Sequence, residues 1–278
     1  MSSESDSTNS TNSANKAAFK VATWNVNSMR VREEQVIEWL HQHQPDALCL
    51  QEIKMLEADF PFEAIKAAGY SSIALGQKTY NGVAILSKRE AQNVSTELDD
   101  FEDEQKRYIA ADILSENGER VRVVNVYVPN GQALDSDKFV YKQAWFKALR
   151  KTMRRTLREH PLTVLLGDFN ITPSDLDCHD PVAWRGKIHC SDTERLMLHT
   201  LLSEGLYDTY RHFNPQGEHY SWWDYRGAGY RANAGLRIDL VLSSGELLKH
   251  STASLIDEGP RKHERPSDHT PVVVEYSI

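Results

Sequence analysis

Residues 19–24, Phe-Lys-Val-Ala-Thr-Trp, alternate between apolar and polar, the period-2 pattern of a strand. The period then changes. Val36, Ile37, Trp39 and Leu40 fall at helical spacing within 31–44, and Pro45 stops that helix. Residues 47–50 are a short apolar run, read as a buried strand, ending in Gln51-Glu52. A short helix is expected over 62–68, closed by Gly69. Asn81-Gly82 forms a turn that leads into a strand over 83–87. The runs 109–114 and 120–128 flank Asn117-Gly118 and read as paired strands, the second ending at Pro129-Asn130-Gly131. A long amphipathic helix is expected over 137–160, before Pro161. Residues 162–166 are apolar and predict a central strand. Residues 192–203 read as a helix with Asp192 as N-cap and Gly205 as its stop. The last two strands are expected at 238–242 and 272–276.

Many strands interleave with a few helices, and several connections are hairpins. That excludes a barrel of repeated βα units and favours mixed sheets. Two sheets packed face to face, with helices outside, accommodate the inventory in one domain over 19–278. Residues 1–18 are mostly Ser, Thr and Asn and are expected to form a disordered tail. This tail has neither an apolar h-region nor the arginines of a transit peptide. No stretch is long and apolar enough to span a membrane.

The 278 residues are 40% hydrophobic, enough for one large core or two small ones. Cys49, Cys178 and Cys190 lack CxxC spacing, which argues against a disulfide framework or zinc site and fits a reducing, bacterial-type cytoplasm. Cys49 reads as core. A net charge of −8 argues against wholesale nucleic-acid binding, but clustered acids at a metal site would account for part of it. Basic residues also cluster, at Arg150, Lys151, Arg154, Arg155 and Arg158, and again at Arg226, Arg231 and Arg237. The first cluster reads either as a local basic surface or as a solvated helix face.

Polar residues recur at the ends of the predicted strands. Asn25 and Asn27 follow the first, Glu52 the second, and Tyr127 and Asn130 mark the end of 120–128. Asp168 and Asn170 follow the apolar run, Asp239 begins another strand, and Asp268 and His269 precede the last. Singly, an Asn there forms a turn and an Asp caps a helix. Together, carboxylates, amides and an imidazole at one sheet edge suit metal-assisted hydrolysis of a phosphate ester.

Trp24-Asn25-Val26-Asn27, Leu50-Gln51-Glu52-Ile53-Lys54, Tyr127-Val128-Pro129-Asn130, Gly167-Asp168-Phe169-Asn170, Gly235-Leu236-Arg237-Ile238-Asp239 and Ser267-Asp268-His269 resemble, in order, the motifs of the exonuclease III family of apurinic/apyrimidinic endonucleases. The match runs over 19–278, and the stretches 173–177, 220–226 and 265–266 fit it too. The resemblance implies a DNase I-like four-layer α/β sandwich, two packed mixed β-sheets flanked by helices. It also implies a Mg²⁺- or Mn²⁺-dependent phosphodiesterase acting on double-stranded DNA with abasic sites or damaged 3′ ends.

On that resemblance, Glu52 is the direct metal ligand, and Asn25, Asn27, Asp168, Asn170, Asp268 and His269 lie near the ion. Asp168 orients or deprotonates the attacking water, and Asn170 steadies water or phosphate. His269 meets the scissile phosphate, oriented by Asp239, and a neutral Tyr127 donates a hydrogen bond or proton. Asn130, Lys54 and Arg237 are expected to bind substrate, the latter two through backbone phosphates. Trp222, Trp223 and Leu236 are expected at the pocket wall, with at most one of the two adjacent tryptophans facing it.

Two departures from the family pattern stand out. Ser28 replaces the glycine expected after Asn27, read as a modest change in a turn. His189 stands where a small residue is common in good abasic-site endonucleases. It would turn activity away from internal abasic sites toward 3′-phosphate removal and exonuclease action, or it is an exposed loop histidine. A small-molecule or lipid phosphatase, or a silent DNA- or protein-binding relative, are the alternative functions. Nothing in the sequence demands a dimer, so a monomer is expected.

Overall fold

The computed structural model describes residues 17–278. Most of the expected tail therefore lies outside the described residues. Ala17 pairs with Ile278 through both backbone groups, at 3.1 and 3.0 Å, so sheet pairing begins two residues before Phe19.

The chain opens with β1 (Ala18–Asn25), α1 (Met29–His43), β2 (Ala47–Gln51), α2 (Phe62–Ala67), β3 (Ser71–Leu75) and β4 (Val83–Ser87). Next come β5 (Gln92–Ser95), β6 (Tyr108–Leu114), β7 (Arg120–Tyr127), α3 (Asp137–Glu159) and β8 (Thr163–Asp168). Then follow α4 (Pro181–Trp184), α5 (Asp192–Leu202), β9 (Leu206–Asp208), α6 (Thr209–Phe213) and the two-residue strands β10 (Trp222–Trp223) and β11 (Gly235–Leu236). The chain ends with β12 (Asp239–Ser244), α7 (Gly245–Leu248), β13 (Ser251–Ile256) and β14 (Val272–Ser277).

Two six-stranded sheets result, ordered β13-β14-β1-β2-β4-β3 and β5-β6-β7-β8-β12-β9. Each is mixed, with one parallel pair, β1 with β2 and β7 with β8, among antiparallel neighbours. Alternation along the strands explains the layering. Val21, Cys49, Ile85, Val123, Leu166, Val241 and Val274 fill the space between the sheets. The opposite face of the first sheet packs Trp24 and Leu50 on Val36, Trp39 and Leu40 of α1. That of the second packs Val124 and Leu165 on Trp145, Leu149 and Met153 of α3. The four layers are helix, sheet, sheet, helix.

The strands missed by pattern are those at sheet edges or with polar sequences, such as β5 and β13, where burial leaves no alternation to read. Helix α5 is capped by Ser191, whose hydroxyl accepts from the Glu194 amide in a capping box; Asp192 sits inside the first turn and is not the cap. Four of the five basic residues of the cluster on α3 are paired with acids. Arg150 and Arg154 pair with Glu204, Arg155 with Asp99 and Lys151 with Asp100. The three cysteines are buried and free, and Cys178 and Cys190, distant in sequence, share one small apolar cluster. Among the described residues, no helix is long and apolar enough to cross a membrane.

Candidate active site at one sheet edge

The topology brings the polar strand ends together. Parallel pairing places Asn25 beside Gln51, next to Glu52, and Tyr127 beside Asp168. Strand β12 runs antiparallel to β8, so it starts where β8 ends, with Asp239 opposite Asp168. Beneath this edge a buried amide pair ties the sheets together. Gln51 Nε2 donates to Asn125 Oδ1 at 2.7 Å, and Asn125 Nδ2 donates to the carbonyls of Leu50 and Ala84 at 2.9 and 2.8 Å. Gly167 lets β8 bend just before Asp168: its φ is 149°, and a Cβ there would lie 1.9 Å from the Val126 carbonyl oxygen.

At the edge, Asn25 Nδ2 donates to Glu52 Oε1 at 2.8 Å and to Asp168 Oδ2 at 2.9 Å. His269 Nδ1 donates to Asp239 Oδ2 at 2.8 Å, and its Nε2 faces Asp168 Oδ2 at 3.8 Å. Asp239 is itself held by its backbone amide on Ser221 Oγ at 3.0 Å. Asp168 Oδ1 accepts from the Asn170 amide at 2.9 Å. Asn27 and the Trp222 indole donate to the two oxygens of Asp268, at 2.9 and 3.0 Å. Several turns that carry these groups adopt positive φ, among them Asn27, Glu52, Lys54, Asn170 and His189. Such strained backbone persists only where the surroundings over-determine it.

Ser28 belongs to the same set, with φ 97° and ψ 108° and no side-chain capping bond. Its amide donates to the Glu52 carbonyl at 2.8 Å. Serine in this region is strained, so the departure from glycine is more than a modest change. Ser28→Gly should therefore stabilise the protein by about 1 kcal/mol and raise Tm by roughly 2–4 °C. An unchanged or lower Tm by scanning calorimetry would show that the strain is absorbed elsewhere.

The electrostatics are those of crowded acids. Burial, joined by the charges of Asp239 and Glu52, lifts Asp168 to about 7 against the opposing pull of His269. Burial opposes the imidazolium of His269, yet Asp239 and Asp168 raise it to about 10. Burial also opposes the charge on Glu52, but Lys54 and Asn25 outweigh it and hold the carboxyl below its ordinary value. Burial and the nearby Glu52 and Asp168 push Tyr127 well above the usual phenol value, so it stays protonated. An oxygen from each of Glu52 and Asp168 and a ring nitrogen of His269 lie within 4.8 Å of one another. The Lys54 ammonium lies 2.7 Å from Glu52 Oε2 and also meets Asn27 Oδ1, so the corner already draws a cation. Two carboxylates with Asn27 Oδ1 close by offer the oxygen donors that a hard divalent metal takes.

Several expectations change on this geometry. Arg237 is fully buried, with Nε 2.6 Å from Asp177 and Nη2 2.7 Å from Asp208, so its guanidinium is not offered to DNA phosphates. Trp223 is also fully buried, its indole donating to Asn233 at 3.2 Å, and of the two tryptophans only Trp222 points toward His189, with ring centroids 6.3 Å apart. Leu236 is enclosed with Cys178, Cys190 and Ile238. His189 is not an exposed loop residue but buried at 7% exposure. Burial and the Lys142 charge lower it to about 4, so the ring is neutral. Sequence reading missed Arg107, whose guanidinium lies 4.5 Å above the Tyr127 ring and donates to the Tyr127 carbonyl at 3.1 Å. One cavity of about 1060 Å³, away from the site residues, is lined by Glu97, Asp100, Glu102, Asp103 and Glu104 together with Lys106, Phe101 and Trp145. Its acids do not suit an anionic substrate.

Residues 22–269 match the Endonuclease/Exonuclease/phosphatase family. The chain belongs to that family. It is 35% identical over 267 residues to exodeoxyribonuclease III of Haemophilus influenzae, covering 93% of this chain and 100% of that protein. Among solved structures it superposes with a TM-score of 0.90 on the 3′ phosphatase NExo from Neisseria, bound to a product DNA hairpin, at 46% identity over 94% of this chain and 100% of the other. An AP endonuclease from Archaeoglobus fulgidus gives 0.87 at 34% identity, again over 94% and 100%. The four-layer sandwich is the fold of these family members, and its relatives are hydrolytic nucleases.

Proposed function

We propose that the chain is a Mg²⁺- or Mn²⁺-dependent DNA-repair phosphodiesterase of exonuclease III type. It hydrolyses the P–O3′ bond at abasic sites and at blocked or ordinary 3′ ends of duplex DNA, leaving a 3′-hydroxyl. The observation that carries this reading is the convergence of Glu52, Asp168 and His269 within 4.8 Å, with Asp239 on the far side of the imidazole.

Glu52 would hold the metal, with Asn25, Asn27, Asp168, Asn170, Asp268 and His269 around it. The bound ion would neutralise phosphate oxygens and the charge that develops on them. Asp168 would orient and deprotonate a water, and Asn170, whose backbone amide donates to Asp168 Oδ1, would steady it. His269, aligned by Asp239, would meet the scissile phosphate as a hydrogen-bond donor through Nε2. Tyr127 keeps its proton and donates toward substrate oxygen, and Lys54 meets the phosphate backbone.

A second reading, that the enzyme is specialised for 3′-phosphatase and exonuclease action, is favoured by His189. Its ring lies beside Trp222, with Nε2 3.3 Å from Asn130 Nδ2, and on this reading that corner is a wedge facing a DNA strand continuing past a lesion. The test is a panel of abasic, 3′-phosphate, nicked and recessed duplexes with Mg²⁺ and with EDTA. Hydrolysis surviving EDTA would refute the metal role, and binding without hydrolysis would favour a silent relative. His189→Gly should raise abasic incision at least ~10-fold relative to 3′-phosphate removal, a gain of about 1.4 kcal/mol in discrimination. Equal ratios in the two proteins would dismiss the wedge.

A further inference from the structure

The residues on the substrate side of the site come from three separate loops. Asn130 follows β7, Asn170 follows β8, and His189 precedes α5. One buried ion pair holds all three. Lys142 Nζ, on α3, donates to Glu194 Oε1 at 2.6 Å, to the Asn170 carbonyl at 2.8 Å and to the Asn130 carbonyl at 3.2 Å. Its three protons are thus all directed. Glu194, on α5, uses the same Oε1 to accept the His189 amide at 3.1 Å, while its Oε2 accepts the Ser191 amide and hydroxyl at 3.2 and 2.6 Å.

The loops are also tied to one another. The His189 ring is neutral with its proton on Nδ1, which donates to the Asn170 carbonyl at 2.8 Å, and Nε2 accepts from Asn130. The Asn170 carbonyl therefore receives both Lys142 and His189. His189 sits at φ 73°, a conformation that needs external support. Gly131 wraps the same anchor: a Cβ there would lie 3.0 Å from Lys142 Cδ and 3.1 Å from Ile188 Cδ1.

Neither side chain of the pair has any exposure. Desolvating such a pair is costly, and an apolar pair of similar volume is often as stable or more so. Around Lys142, the buried face of α3 is otherwise rich in apolar residues such as Phe139, Trp145 and Phe146. Core stability alone would be served by a methionine there. What an apolar side chain would not supply is directed bonds to three chain segments.

We propose that Lys142 and Glu194 are positioning residues that hold Asn130, Asn170 and His189 as one unit and thereby set the choice between 3′ ends and internal abasic sites. This rests on the phosphodiesterase reading and on the His189 wedge within it. The pair makes no hydrogen bond to Glu52, Asp239 or His269 and reaches the site only through Asn170, Asn130 and His189, so a change in substrate choice, and not only in kcat, is its signature.

The test compares wild type, Glu194→Gln, Lys142→Met, the double variant Lys142→Met/Glu194→Leu, and His189→Gly with and without Glu194→Gln. Each is assayed for kcat and KM on a 3′-phosphate duplex and on an abasic duplex in Mg²⁺, with Tm alongside. Glu194→Gln should raise KM for the 3′-phosphate substrate and shift the abasic-to-3′-phosphate ratio upward at least ~5-fold, within the range of coupling expected for neighbouring groups. In the His189→Gly background the same substitution should move the ratio less than about twofold, because the wedge is already gone. The double variant should recover Tm without recovering the wild-type ratio, and it decides the matter where a single variant does not fold. Activities that fall in parallel with Tm, at constant ratio, would overturn the positioning role. An inactive wild type would overturn the phosphodiesterase reading itself and the inference with it, whereas an active wild type with an immovable ratio overturns the inference alone.

Discussion

Asp168→Asn is expected to lower kcat on a 3′-phosphate duplex by ~10³-fold, about 4 kcal/mol in barrier. Asparagine matches the carboxylate in shape and can keep the bond at Oδ1 from the Asn170 amide. What it loses is the ability to take a proton from water. The substitution also loses the bond that Oδ2 accepts from Asn25 Nδ2, a cost set against relief of the buried charge. Asp168 is buried with its ionisation pushed up to about 7, above the unfolded value. The folded state therefore binds the proton more tightly than the unfolded chain does. Stability from this group is fully present below the unfolded value and is lost as pH rises through about 7. At pH 8 in EDTA the variant should melt no lower than wild type. Single-turnover kinetics with parallel thermal melts give both readouts. Activity within tenfold of wild type would remove Asp168 from the proton transfer, and a large fall in Tm would turn the kinetic loss into a folding effect.

The second large effect is structural. Arg237→Met should destabilise the protein by about 3 kcal/mol, because it removes one of the two guanidiniums on the buried Asp177, leaving Arg211, and the fork on Asp208. For a chain of this size that is a fall in Tm of roughly 10 °C. Burial opposes the Asp177 charge, but Arg237 and then Arg211 outweigh it and hold the carboxyl below its ordinary value. Stability from that group is present above the unfolded carboxylate value and is lost as pH falls through the depressed folded value. The variant should therefore show a shallower loss of stability in acid than wild type. DNA binding separates this role from a phosphate contact. A residue that neutralises a phosphate reduces the salt slope of binding by about one when removed, whereas Arg237→Met should leave the slope unchanged. A reduced slope at undiminished Tm would reinstate Arg237 on the DNA face.

Much of the site was legible because its residues sit where local patterns break. Asn25, Glu52, Asp168 and Asp239 each stand at an end of a strand-like run, and parallel or antiparallel pairing of central strands takes such ends to a shared edge. The Asn117-Gly118 turn and the strand at β4 were equally readable, since turn chemistry and alternation act within a few residues. Edge strands were not, because β5 and β13 bury too little to impose a period. Arg107 and Lys142 were missed for another reason. A cation in a charged stretch or on an amphipathic helix looks solvated until the structure shows what covers it.

The order of apolar runs and polar breaks by itself determined the mixed-sheet architecture and the set of acids, amides and imidazole at the strand ends, because backbone geometry and the face a side chain buries follow from neighbours a few positions away. Only the tertiary structure decided that Arg237 turns inward to an aspartate 60 residues distant, that Trp222 and not Trp223 faces His189, and that Lys142 and Glu194 lock three loops together. Those choices depend on which charges share a buried space after the sheets have packed, and in a low-dielectric interior pairing, not sequence proximity, sets whether a charge can be buried.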